Sequence, residues 1–233
     1  VRYPSPSDYP SLLARPVENL VAIERKVEPI LEAVRTLGDA TLLELSHKFD
    51  GHSLDTLAVS EAEMQEASAQ VSEELKKAIQ TAAHNIRSFH LRQKEESHPT
   101  ETMPGVSCWR KSVGIQKVGL YIPGGTAPLF STVLMLGIPA QIAGCQQVVL
   151  CSPANNRGKL HPAILYTAQL LGISSVFKIG GAQAIGAMAF GTETVPQVYK
   201  IFGPGNQYVT AAKQLVTKYG TAIDMPAGPS EVM

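Results

Sequence analysis

The sequence predicts an α/β protein in which a parallel sheet of βαβ units follows a helical region. Three observations predict it. From Val118 onward, short apolar runs alternate with stretches of helical pattern, the signature of strands joined by crossover helices. Three of the apolar runs end on glycine, at Pro123-Gly124-Gly125, Gly180-Gly181 and Gly203-Pro204-Gly205. Before that point apolar residues recur every three or four positions, the period of an amphipathic helix.

In the first half, Ile23, Val27, Ile30, Leu31, Val34 and Leu37 share one helical face. Pro29 then belongs in the first turn or kinks the helix. Gly38 is a stop and Asp39 a cap for the next helix, which carries Leu42, Leu43, Leu45 and Phe49 and ends at Asp50-Gly51. Ser60-Glu61-Ala62-Glu63 is a capping box. Ser72 opens the longest helix, to about Gln93, with Leu75, Ile79, Ala82, Ile86 and Phe89 as its seam. Such a seam packs on its own domain or on a partner subunit. Lys94 to Pro104 is polar and reads as a linker or long loop. Val106 to Val118 reads as a strand or hairpin leading into the sheet.

The second half starts with a strand at Val118–Ile122. A helical stretch follows over Thr126–Gly144, in one or two pieces around Gly137 and Pro139. A second strand covers Val148–Cys151. Pro162 suits the first turn of a helix running to Leu171 and closed by Gly172. The third strand is Ser175–Ile179. A short helix from Gln183 to Phe190 stops at Gly191. The fourth strand, Tyr199–Phe202, leads into a helix reaching Tyr219, and Ala222-Ile223-Asp224 starts a fifth. Right-handed crossovers bring every strand end to one edge. Ligands of open α/β sheets sit in the crevice outside that edge. It collects Tyr121, Gly124, Gly125, Ser152, Gly180, Gly181, Gln183, Gly203, Asn206 and Ser230.

Composition narrows the function classes. The chain has 233 residues, 44% apolar and 17% charged, with 20 basic against 20 acidic side chains. That balance provides no basic field for nucleic acid or anionic lipid. No run reaches the ~18 apolar residues of a membrane span, and the N-terminus lacks a signal-peptide layout. The three cysteines, Cys108, Cys145 and Cys151, form no disulfide framework and point to a reducing compartment. A cytoplasmic protein is the expectation.

The glycine turns match neither G-x-G-x-x-G, because Tyr208 stands at the last position, nor the P-loop. Glycines that only make tight turns would look the same. Helix N-termini at the edge would still favour a phosphate or carboxylate. Gln183 and Asn206 each follow a glycine turn, and their amides suit a ribose, a nicotinamide amide or an amino acid; Asn206 also suits plain helix capping. A catalytic thiol is disfavoured, because Cys145 and Cys151 flank an apolar strand and read as small buried residues. The six histidines show no metal-ligand spacing.

The serial motifs GLYIPGGTAPLFSTVLMLGIPAQIAGC, VVLCSP, GGAQAI with FGTE, KIFGPGN and IDMPAGPSEV closely resemble the histidinol dehydrogenase family. RTLGDATLLELSHKFDG and ELKKAIQTAAHNIRSFH carry the resemblance into the helical half. The resemblance implies incomplete Rossmann-like domains, which accounts for the missing fingerprint. It implies oxidation of L-histidinol to L-histidine through histidinaldehyde, in two NAD-dependent steps. Tyr121, Gln183 and Asn206 would contact NAD, and Ser230 the substrate. The family's enzymes are intertwined homodimers whose active sites draw on both subunits. Their zinc ligands, a glutamine, two histidines and an aspartate, and their catalytic Glu-His pair correspond to positions beyond Met233. The expectation is roughly the first half of such an enzyme, inactive by itself. Residues 1–104 would form a helical region and the start of a first α/β domain; residues 105–233 would form a Rossmann-like NAD-binding domain truncated at its C-terminal end. A dehydrogenase of another small alcohol and a non-catalytic nucleotide-binding or assembly module are the rival readings.

Overall fold

The computed structural model describes residues 5–12, 20–51, 53–125 and 127–225. In chain order the helices α1 (Tyr9–Leu12), α2 (Leu20–Leu37), α3 (Asp39–Asp50), α4 (Glu61–Gln70) and α5 (Glu73–Leu91) come first. A hairpin of β1 (Thr100–Met103) and β2 (Val106–Cys108) follows. Then come β3 (Lys117–Tyr121), α6 (Phe130–Ile142), β4 (Gln147–Ser152), α7 (Pro162–Leu170), β5 (Ser175–Lys178), α8 (Gly181–Phe190), β6 (Lys200–Phe202), α9 (Gln207–Val216) and β7 (Ala222–Ile223). Strands β3 to β7 form one parallel sheet in the order β5-β4-β3-β6-β7. The chain builds outward from β3 through β4 to β5, then returns to the other side of β3 for β6 and β7. The order therefore reverses between β3 and β6, the place where open sheets of this type bind ligands.

Alternate residues along the strands enter opposite cores, as a period of two requires. On β4, Val149 and Cys151 join a core with α2, α8 and α9, while Leu150 joins a core with α4 to α7. Both faces are covered, so the strands are continuously apolar. The helical first half is thus split between the two faces. Its crossing is made at β5. Val59 N–H donates to the Val176 carbonyl (2.9 Å) and Lys178 N–H to the Leu57 carbonyl (2.7 Å), with Ala58 bridged antiparallel to Phe177. This short pairing covers the open edge of β5, which would otherwise invite another strand.

The crossing is locked by Glu63. It completes the capping box of α4, accepting from Ser60 N–H (2.9 Å) while the Ser60 hydroxyl accepts from Glu63 N–H (3.2 Å). The same carboxylate accepts from Lys178 Nζ (3.1 Å) at the end of β5. Burial pushes the Glu63 pKa up, but the Ser60 N–H and Lys178 outweigh it, and the net shift is downward. A depressed carboxyl stabilises the fold above its unfolded value of about 4.3, and this contribution is lost as pH falls through the folded value. The gap in urea midpoint between wild type and Glu63→Gln is therefore expected to be open at about pH 6 and to close towards about pH 3. A gap that persists unchanged into acid would contradict this origin.

Several local expectations change. Leu37, placed on the apolar face of α2, and Phe89, placed in the seam of α5, are 62% and 65% exposed in this chain, in the last turns of the two helices. Pro29 lies inside α2, on its solvent side, rather than in its first turn. Asp39 is the first residue of α3, not its cap. Its N–H is taken by Glu193 Oε2 (2.8 Å), and its own Oδ1 accepts from the Thr192 hydroxyl. Gly38 has φ +59°, and a Cβ there would collide with the Glu193 carboxylate, so glycine is what lets this distant acid reach the helix end. Lys94–Pro104 is not all loop, since Thr100–Met103 pairs with β2. Thr126–Gly144 yields one helix, α6, with Pro139 inside it. Among the described residues no helix is long and apolar enough to cross a membrane.

Candidate functional site

At the carboxyl edge of the sheet the turns after β3, β4 and β5 pack ring against glycine. A Cβ on Gly124 would lie 2.6 Å from Pro153 Cγ, and one on Gly180 would lie 2.5 Å from Pro153 Cβ. Glycine on both sides therefore lets the Pro153 ring wedge between neighbouring turns. Above this floor opens a cleft of about 710 Å³. Tyr121, Gln183 and Asn206, which come from three different strand ends, all line it.

Each is held differently. Tyr121 closes β3 with its ring 4% exposed, and its hydroxyl accepts from Gly181 N–H (3.0 Å), tying β3 to the start of α8. Asn206 caps α9, its Oδ1 accepting from Tyr208 N–H (3.0 Å) and Val209 N–H (3.1 Å). Capping occupies only that oxygen and leaves Nδ2 without an acceptor among the described residues, so capping and ligand contact coexist. Gln183 is 3% exposed and its amide meets no hydrogen-bond partner there. The amide opens on the cleft, where a ligand can meet it. Gly181, with φ +65°, has Gln183 Oε1 2.7 Å from where a Cβ would be. Any side chain at 181 would push the amide out of place.

Behind the cleft, the turn after β6 is set by a buried ion pair. Lys213, on α9, is 5% exposed; its Nζ donates to the Gly203 carbonyl (2.9 Å) and to Asp224 Oδ1. Asp224 Oδ2 accepts from Gly203 N–H (2.8 Å). Both backbone polar groups of Gly203 are thus clamped. A Cβ on Gly203, which has φ +133°, would strike the Tyr121 carbonyl oxygen. The clamp therefore presses the Asn206 turn against the end of β3.

Of the other residues expected at this edge, Gly124 and Gly181 line the cleft and Gly203 lines the smaller pocket over Lys213 and Asp224. Ser152 is buried, its hydroxyl without a partner, and does not reach the cleft. Ser230 lies outside the described residues. Among the described residues no three His, Cys, Asp or Glu side chains stand close enough to hold a metal ion. Cys151 is buried within β4, where burial pushes its thiol pKa up. Burial also raises Cys145, against the pull of backbone hydrogen bonds, and Cys108 sits on the exposed hairpin.

The family model for histidinol dehydrogenase matches residues 13–233. The chain belongs to the histidinol dehydrogenase family. It is 57% identical over 232 residues to histidinol dehydrogenase of Bacteroides thetaiotaomicron, covering 100% of this chain and 54% of that protein. It is 53% identical over 223 residues to that of Xanthomonas oryzae pv. oryzae, covering 95% of this chain and 52% of the relative. The crystal structure of histidinol dehydrogenase from Elizabethkingia anophelis superposes with a TM-score of 0.91 at 53% identity, over 97% of this chain and 52% of that one. The chain therefore spans about half the length of the curated relatives it matches.

Tyr121, Gln183 and Asn206 all lie on the sheet side of the cleft, and reading the strand ends alone missed the opposite wall. Lys26 and Ile30 from α2, and Phe49 from α3, line it. Lys26 and Ile30 stand four positions apart on one helical face, but Ile30 was read only as part of the apolar face of that helix. Phe49, placed on the second helix with Leu42, Leu43 and Leu45, is 54% exposed and lines the cleft. No sequence signal distinguishes an apolar residue facing a cleft from one facing a core. Pro153 and Tyr208, also lining residues, lay beside the expected turns without being singled out.

Proposed function

We propose that this cleft is the NAD-binding half-site of a histidinol dehydrogenase, which oxidises L-histidinol to L-histidine. The observation that carries the reading is that Tyr121, Gln183 and Asn206, from three separate strand ends, line one cleft. Bound NAD supplies the hydride acceptor. The chain's own part is to hold it. The Gln183 amide and Asn206 Nδ2 offer hydrogen bonds to ribose hydroxyls or a carboxamide, and the Tyr121 ring forms a wall. Ile30 and Phe49 keep water from the opposite side. Residues 105–233 act as the cofactor-binding unit, while the helices before them supply the second wall. Ser230 is the proposed substrate contact.

Zinc belongs to the proposed full enzyme, but no described residues fit it, and no zinc-dependent step is assigned to this chain. A cytoplasmic homodimer is the proposed setting. Titrating NAD into the purified chain by calorimetry, with saturation-transfer NMR alongside, tests the reading. Saturable binding of one NAD per chain is expected. Absence of binding at millimolar NAD would overturn it.

A further inference from the structure

We propose that the β1–β2 hairpin and the two legs that carry it form an arm that docks on the same arm of a second copy of this chain, uncharged face against uncharged face. This rests on the homodimer named above and says which surface makes it. Residues 91–114 are exposed without exception, although they include Met103, Val106, Trp109 and Val113. Trp109 is the one tryptophan of the chain. β1 and β2 make their contacts almost entirely with each other. A two-stranded hairpin with nothing packed on it is marginal in water. Apolar side chains gathered on such a ribbon mark a surface that another molecule covers.

The ladder decides which face is offered. Thr100 stands opposite Cys108, and Met103 opposite Val106. Cross-strand partners share a face, and so do residues two apart on β2. Thr100, Met103, Val106 and Cys108 therefore lie on one side of the ribbon, with no charge among them. Glu101 and its partner Ser107 lie on the other. Glu101 Oε1 accepts from Gly105 N–H (3.0 Å), which keeps that acid at the hairpin turn.

Charge says what lies on the uncharged face. The leg through residues 95–103 carries Glu95, Glu96 and Glu101 and no lysine or arginine. The leg through residues 106–114 carries Arg110 and Lys111 and no acid. Two arms stacked about a two-fold axis along their length bring each acidic leg over the basic leg of the other copy. The surface is thus self-complementary, as the interface of a symmetric dimer must be. Pairing β1 edge to edge with its own copy would instead set acid beside acid. Within one copy Arg110 comes no closer than 3.5 Å to Glu95, and the two side chains are 81% and 70% exposed, so both stay available to the second arm. Between the legs runs a groove of about 890 Å³, lined by Trp109, Arg110 and Val113 and by Ile142 of α6, which gives the other copy's side chains a place to enter. Residues 91–114 also match one side of a standard interface, about 20–30 residues.

The test is the mass of the chain in solution, by sedimentation equilibrium, for wild type, Val106→Asp, the acid-reversed pair Glu95→Lys with Glu96→Lys, and the base-reversed pair Arg110→Glu with Lys111→Glu. Wild type is expected to be a dimer. Val106→Asp should raise the dimer dissociation constant by about tenfold or more, because a carboxylate is then buried against an apolar face. Its melting temperature at monomeric dilution and its NAD affinity should be unchanged, since Val106 is exposed and far from the cleft lining. Each charge-reversed pair should dimerise weakly alone, and an equimolar mixture of the two should form a heterodimer. A wild-type dimer that neither Val106→Asp nor the reversals weaken overturns the arm and leaves the homodimer standing. A mixture no tighter than its components overturns the facing of acidic leg on basic leg. A wild type that stays monomeric at all concentrations overturns both the arm and the homodimer, whatever NAD does.

Discussion

Lys213→Met is expected to destabilise the protein by about 3 kcal/mol, the lower end of the cost of breaking a buried ion pair. The methionine keeps the packing of the lysine stem and removes only the ammonium. Asp224 is then left beside the turn as an unpaired carboxylate, and the Gly203 carbonyl loses its donor. The cost sits at the lower end because the Asp224 side chain is 29% exposed and water can reach it. Urea unfolding measures this directly. Lys213→Met combined with Asp224→Asn should recover part of the loss, because the stranded charge is gone while the amide can still accept from Gly203 N–H. The single variant should also weaken NAD binding, because the turn carrying Asn206 is no longer pressed against β3. A loss below about 1 kcal/mol would mean that water replaces the ammonium at little cost, and that the clamp does not hold the turn.

Gln183→Leu is expected to separate binding from stability. The amide lines the cleft and makes no hydrogen bond to the described residues, so an apolar side chain of similar size should leave the melting temperature unchanged. NAD affinity should fall by about ten- to a hundredfold, from the loss of the amide's hydrogen bonds to the ligand. If Gln183→Leu instead unfolds the protein while NAD binding to the remaining folded fraction is normal, Gln183 is a structural residue and the central observation about the cleft fails.

How far the sequence could be read depended on the range of the interaction. Capping by Ser60 and Glu63 was legible because the partners are three residues apart and their geometry is set by one helical turn. Capping of α3 by Glu193 was not, because the acceptor is 154 positions from Asp39. The strands were legible from apolar runs ending in glycine. The pairing of Leu57–Val59 with the edge of β5 was not, because so short an extended segment has no period to detect. Tyr121, Gln183 and Asn206 could be placed together because parallel strands send all their ends to one edge. Lys26 and Phe49 could not, since that edge says nothing about which helix closes over it.

By itself, then, the sequence determined the α/β alternation, the turns that glycine permits, and the sheet edge on which Tyr121, Gln183 and Asn206 converge. All of these follow from local backbone preferences and the fixed handedness of crossovers. Only the tertiary structure decided that α2 and α3 wall the cleft, and that Lys213 and Asp224 clamp the Gly203 turn. These depend on where side chains far apart in the chain meet, and burial sets their energies. The Gln183 amide is unremarkable as a letter in the chain and becomes informative only when the fold places it in one cleft with Tyr121 and Asn206.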